Sequence, residues 1–294
     1  MSEGHIMRQD PAGPVRARRA ALLGDPLVGF DGEVVVGFDG SAAGLAALRW
    51  AVARAERAGS AVRVTGVVDD EARAMGSAYS AACRQQLAEL LTSTRTRLGS
   101  TNPGLQVTTD LVVGRVASAL AAAARPDDLL VIGSDKTGYA HGRVYGARSI
   151  QLAATAAATV AIVPAVELRL RQGVVVALAD REGSDALAVI GAREAMAQGS
   201  DLVLVHAMPA GSDAGRRASA DAVLASAAEA AMREGCAQVT VKLAERRPAE
   251  AILNLCRDKA LLIIGRSMPQ TSLGVGTTLH ELLLNANVPV VITG

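Results

Sequence analysis

Four histidines, His5, His141, His206 and His280, and three cysteines, Cys83, Cys236 and Cys256, are the side chains able to ligate a transition metal or act as base or nucleophile near neutral pH. None of the histidines stands at metal-ligand or triad spacing from a partner. His206 ends an apolar run and reads as packed or pocket-lining, while His280 reads as a helix-surface residue. The cysteines are odd in number, far apart and without CxxC spacing, which describes buried thiols in a reducing compartment rather than a zinc site or redox pair. Lys136-Thr137-Gly138 matches one element of a β-lactamase, yet no Ser-x-x-Lys occurs in the chain, and the HxGH signature of nucleotidyl transfer is also absent. The expectation is a protein that is not an enzyme, with no catalytic residues and no protein-held metal.

Phosphate binding is the chemistry with residues behind it. From Gly133 to Gly146 the chain places four glycines in 14 residues, between an apolar run and a helix start. Glycine lets backbone approach a ligand, and the free N–H groups of a helix start favour anions. The spacing is neither the GxxxxGK[ST] of a P-loop nor the GxGxxG of a dinucleotide fold, so the signal is weak and a plain surface loop has the same composition. Upstream, Gly37-Phe38-Asp39-Gly40-Ser41 closes another apolar run. Ser41 is read as a helix cap. Asp39 is read evenly as cap or ligand.

These segments need elements to position them. Short β-branched runs at Val34 to Val36, Val62 to Val68, Leu105 to Val113, Leu129 to Ile132 and Val160 to Val163 alternate with alanine-rich helical stretches. Those stretches are Ala42 to Ala58, Glu71 to Leu98, Val116 to Ala124 and Ser149 to Ala158. Strands apolar on nearly every residue and joined by helical crossovers predict a parallel sheet covered on both faces. The order then repeats: strands at Val174, Leu202, Gln238, Leu261 and Pro289, with helices over Ser184 to Gln198, Ala214 to Glu234, Ala249 to Arg257 and after Gly276. Leu129 to Gly133 superposes on Leu261 to Gly265 at an offset of 132 residues, which also sets Arg115 on Arg247 and Leu120 on Ile252. One module has been duplicated. The expected organisation is a mobile tail over 1–32, a first module over 33–166, a charged linker over 167–172 and a second module over 173–294.

The 294 residues carry 30 basic and 29 acidic side chains, half the chain is hydrophobic, and aromatic residues make up 2%. A net charge of +1 gives no field for a polyanion, and few aromatic faces are available to stack bases, so nucleic acid is excluded as a partner. No apolar run reaches the roughly 18 to 20 residues of a membrane-spanning helix, and the arginine-bearing amino-terminal segment lacks the apolar block of a signal peptide. No membrane partner is expected, and the expected location is the cytoplasm.

Val-Gly-Phe-Asp-Gly-Ser at the end of the first strand, Ala46-Ala47-Leu48-Arg49-Trp50-Ala51 in the helix that follows, and Leu-Leu-Val-Ile-Gly-Ser before the glycine-bearing loop together resemble a universal stress protein domain. The second half resembles another copy, and the likeness covers residues 33 to 294, as in the tandem members common in actinobacteria. The resemblance implies a five-stranded parallel sheet of order 3-2-1-4-5 in each module and modules that pair, here with each other and with a second chain as a homodimer. It implies a stress-response regulator that binds an adenine nucleotide, ATP with its Mg, with the first module the favoured site. In the ATP-binding members the motif is Gly, two residues, Gly, nine residues, Gly, then Ser or Thr. On the first module this sets Gly133 and Gly146 on glycine positions, Lys136 in place of the second glycine and Ala147 in place of the hydroxyl residue, with Ser149 matching a further hydroxyl. Asp39 matches the adenine- and ribose-side aspartate, and Gly37 and Val67 match positions lining the adenine. On the second module Asp180 matches Asp39, Arg181 stands where Gly40 does, and Gly265, Gly276 and Thr277 match the phosphate loop, although the step from Gly265 to Gly276 is 11 rather than 13 and Met268-Pro269 replaces a glycine-rich turn. Pro269 removes one donor and fixes a dihedral. The alternative reading is a nucleotide-free interaction module with degenerate pockets; a cyclic nucleotide is a third.

Overall fold

The fold is described from a computed structural model, for residues 30–134, 147–166, 170–179, 183–266 and 275–294. In the first half the elements run β1 (Val34–Gly37), α1 (Ala42–Ala58), β2 (Val62–Val68), α2 (Asp70–Ala74), α3 (Ser77–Thr101), β3 (Val107–Val113), α4 (Val116–Ala123), β4 (Leu129–Ser134), α5 (Ala147–Thr155) and β5 (Thr159–Pro164). The second half runs β6 (Val174–Leu178), α6 (Ser184–Gln198), β7 (Leu202–Met208), α7 (Ala214–Arg233), β8 (Val239–Glu245), α8 (Pro248–Leu255), β9 (Leu261–Gly265), α9 (Thr277–Asn285) and β10 (Val290–Thr293).

Each half is the expected unit, a parallel sheet with its first strand central: β3-β2-β1-β4-β5 and β8-β7-β6-β9-β10, the order 3-2-1-4-5 in both. The central strands are apolar on both faces because both are covered; Val34, Val35, Val36, Leu129, Leu130 and Val131 are wholly buried. Each such side chain contributes about 1.5–3 kcal/mol of burial. One face carries α1, α3, α6 and α7 over a core containing Val34, Leu48, Val64, Ala161, Val176, Leu204 and Val291. The other carries α4, α5, α8 and α9 over Val35, Leu120, Leu152, Val175, Leu262 and Leu279.

The two sheets are not separate. β5 and β10 pair antiparallel, Val290 with Ile162, Val291 with Ala161 and Ile292 with Val160, so that one ten-stranded sheet crosses the whole molecule. The register defines a local dyad. Aligned on the ends of β5 and β10, Ala161 and Val291 are counterparts and oppose each other, while Ile162 and Val160 each oppose the counterpart of the other, as at a two-fold axis.

Two departures from the sequence reading concern element ends. The helix expected over Glu71 to Leu98 is broken into α2 and α3 at Gly76, whose φ of 113° lies where only glycine sits without strain. The strand expected from Leu105 begins at Val107, because the Leu105 N–H is taken by the Asn102 carbonyl in a turn closing α3. No helix among the described residues is long and apolar enough to cross a membrane. The segment read as a mobile tail lies outside the described residues save its last three, and 167–169 of the linker lie outside them too.

Candidate functional site

A parallel sheet of this order leaves a crevice beyond the carboxyl ends of its central strands, where the connections diverge. Both halves have one, and they differ. The first is a cleft of about 260 Å³ lined by Gly37, Phe38, Asp39, Thr65, Val67, Asp69, Leu120, Gly133, Arg148 and Leu152. Gly37, Asp39, Val67 and Gly133 are therefore brought together as expected. Ser149 is not among the lining residues; it sits in the first turn of α5 and is buried. Lys136, Gly146 and Asp180 lie outside the described residues.

Local chemistry occupies much of the first cleft. Ser41 caps α1, its Oγ accepting from the Gly44 N–H at 3.0 Å, as read from the sequence. The exposed Asp39 carboxylate accepts from the Ser41 N–H at 3.0 Å and so folds back on the turn. Arg148 reaches from α5 toward Asp69, 3.8 Å away, and Asp69 in turn caps α2 by accepting from the Glu71 N–H. This partly exposed pair lies between two elements that line the cleft. Gly133 has a packing role independent of any ligand: a Cβ there would fall inside contact distance of the Ala43 carbonyl and 2.7 Å from the Gly44 nitrogen. The glycine lets the end of β4 pass against the first turn of α1.

The second cleft is larger, about 640 Å³, and lies within the 300–1,000 Å³ usual for small-molecule sites. Its lining includes Ala177, Ala179, Gly183, Ser184, His206, Ala207, Pro248, Ile252, Gly265, Arg266, Gly276, Thr277 and Thr278. Gly265, Gly276 and Thr277 thus meet as the sequence implied. Two helix starts open on the cleft, α6 after Gly183 and α9 after Gly276, and neither N-cap residue makes a side-chain capping bond. First-turn N–H groups have no intrahelical acceptor and present partial positive charge, so this wall suits an anion. The Gly265 position is also less constrained than Gly133, since a Cβ there would meet only Leu187 Cδ1, at 3.1 Å. The favoured first module thus has the smaller cleft.

Arg266 follows Gly265 where Ser134 follows Gly133. It lines the second cleft, but its guanidinium crosses the dyad and donates to the Ala156 and Ala158 carbonyls of the first half, the latter at 2.9 Å. Burial lowers its pKa from the ordinary guanidinium value. Sequence reasoning missed Arg266, Arg148 and Asp69; the one available signal was the mismatch of Arg266 with Ser134 in the internal repeat.

Of the histidines, His206 is buried and lines the second cleft, as read, while His280 in α9 is half-buried rather than on the helix surface. His5 and His141 lie outside the described residues. Cys236 and Cys256 are buried as expected, but Cys83 on α3 is only half-buried because α3 turns a broad face outward. Burial pushes the Cys256 thiol up to about 12, which removes it as a nucleophile. No group of three or more metal-ligating side chains occurs among the described residues.

Residues 32–164 and 171–294 each match the model of the universal stress protein family. A universal stress protein from Archaeoglobus fulgidus is similar over 91% of this chain and 97% of its own, with 16% identity and a TM-score of 0.73. One from Pseudomonas aeruginosa is similar over 89% of this chain and 92% of its own, with 16% identity and a TM-score of 0.59. A shorter Archaeoglobus fulgidus universal stress protein, solved in complex with dAMP, covers 42% of this chain and 99% of its own at 23% identity and a TM-score of 0.38. None of the curated proteins matches the chain.

Proposed function

We propose that this chain, which belongs to the universal stress protein family, is a stress-response regulator that binds an adenine nucleotide, ATP with its Mg, in the cleft of its second module. The observation that carries the reading is the contrast between the clefts. One has about 640 Å³ and two helix starts with glycine at the N-cap; the other has about 260 Å³, its Asp39 carboxylate turned onto its own backbone and Arg148 drawn toward Asp69. The residues suit the ligand by halves. The N–H groups of Thr277 and Thr278 at the start of α9 would receive phosphate, Ala177, Ala207 and Ile252 supply apolar surface for a base, and Ser184 and His206 are polar groups of the lining. Binding without turnover, in the cytoplasm, is the proposed activity.

Calorimetric titration of the full chain with ATP, ADP and AMP tests this. One binding event per chain is expected, lost in Ala207→Trp and unchanged within twofold in Asp39→Ala. Absence of heat with all three nucleotides would leave the alternative, a nucleotide-free interaction module. Loss with Asp39→Ala but not Ala207→Trp would return the site to the first module.

A further inference from the structure

The dyad that joins the modules passes between α1 and α6, and a buried ion pair sits there. Arg54 of α1 donates from Nη2 to Glu194 Oε1 of α6, with both side chains almost wholly excluded from solvent. The two residues occupy the same place in their modules. β1 and β6 start at Val34 and Val174, α1 and α6 both end on left-handed glycines, Gly59 and Gly199, and Ser60 and Ser200 bond back to the Ala55 and Ala195 carbonyls, all at one offset. The residue just before each of those alanines is Arg54 in one module and Glu194 in the other. A residue that touches its own counterpart across a two-fold axis would touch a copy of itself if two identical modules paired. Here that position holds opposite charges.

Each module is furnished for its own charge. The Arg54 guanidinium lies 3.5 Å from the centroid of the Trp50 ring, where the second module has Ile190. Glu194 Oε1 also accepts from the Gln198 amide at 2.7 Å, where the first module has Ala58. Among the described residues Arg54 Nε and Glu194 Oε2 make no hydrogen bond, so each charge depends on the other for compensation. Two first modules brought together would bury two guanidiniums against each other, and two second modules would bury two carboxylates. Like charges in a desolvated contact repel with little solvent screening, and an uncompensated buried charge is worse.

We infer that Arg54 and Glu194 form a pairing code that restricts the β5–β10 edge to the union of a first module with a second module and rejects either module as its own partner. The surface recognised is therefore the complementary module of this protein, normally the one in the same chain.

Two full-length chains test the code. Glu194→Arg places arginine at both axis positions and Arg54→Glu places glutamate at both; neither can satisfy itself, but together they can by exchanging modules. Co-expressed under different tags, they are expected to co-purify as a species of twice the 30.1 kDa chain mass, at least about tenfold above two tagged wild-type copies. The double exchange Arg54→Glu with Glu194→Arg is expected to stay at the wild-type background. A mixed species no more abundant than wild type overturns the code. Should the singly charged variants be insoluble both alone and together, Arg54→Met with Glu194→Met decides. That apolar pair removes discrimination while keeping burial, and mixed species several-fold above wild type are expected; mixing equal to wild type overturns the proposal.

Discussion

Replacing Gly133 by alanine separates its packing role from its place in a phosphate motif. A Cβ built there stands 2.7 Å from the Gly44 nitrogen, against a nearest ordinary contact of 3.4 Å. The end of β4 or the start of α1 must therefore move by at least about 0.7 Å, since the Ala43 carbonyl stands nearer still, and both opposing groups are backbone rather than a side chain that could swing aside. Overpacking of this kind costs about 1–3 kcal/mol, while alanine in a strand recovers about 0.5–1 kcal/mol over glycine. A net loss of about 1 kcal/mol is expected, or roughly 2–4 °C in Tm at the 2–4 °C per kcal/mol of a domain this size. The internal control is Gly265→Ala at the counterpart position. There the new methyl meets only Leu187 Cδ1 at 3.1 Å, a side chain that can rotate, so a change within about 0.5 kcal/mol is expected. Urea unfolding of both variants, followed by circular dichroism, reads the difference. Equal losses in the two variants would refute the argument, because the positions share motif and strand end and differ only in what faces them.

Arg148→Ala removes a long, partly exposed ion pair to Asp69; stability is expected to change by less than about 0.5 kcal/mol in the same unfolding assay. Cys256 supplies a pH dependence. Its folded pKa of about 12 lies above the ordinary 9.0, so its contribution to stability is whole below pH 9 and falls as pH rises from 9 toward 12, which stability measured from pH 8 to 11 in wild type and Cys256→Ala would show as a steeper decline in the former. At pH 8 the native thiol is expected to resist iodoacetamide while half-buried Cys83 reacts, with mass mapping of the alkylated peptides as the check. Arg266→Ala leaves the Ala156 and Ala158 carbonyls without their donor and is expected to cost about 1–3 kcal/mol in thermal unfolding.

The strands were legible because the central ones are β-branched runs buried on both faces, a signal written into consecutive residues, and because the repeat supplies it twice; their order within each sheet came from the family resemblance. Residues at strand ends were legible through the strand pattern and the family resemblance together: Gly37, Asp39, Val67 and Gly133 converge on one cleft, and Gly265, Gly276 and Thr277 on the other. The relative size of the clefts was not, since it depends on side chains from neighbouring elements, Arg148 and Asp69 on one side and Arg266 on the other. The break at Gly76 was hidden because glycine in a polar stretch is compatible with helix or with an end. Arg54 and Glu194 carried no signal at all: a charged residue in an alanine-rich helix reads as solvated until the partner helix is brought to it. The join of β5 to β10 lies beyond any local pattern, being a property of how two finished modules meet.

The dyad through Ala161 and Val291 bears on heredity as well as on form. In an assembly of two identical subunits every substitution is written twice, once on each side of the axis, so neither pocket can drift without the other. A single polypeptide spanning both sides releases that lock. Arg266 can exist opposite Ser134, and one crevice can narrow while its twin stays open, each responding to its own codons.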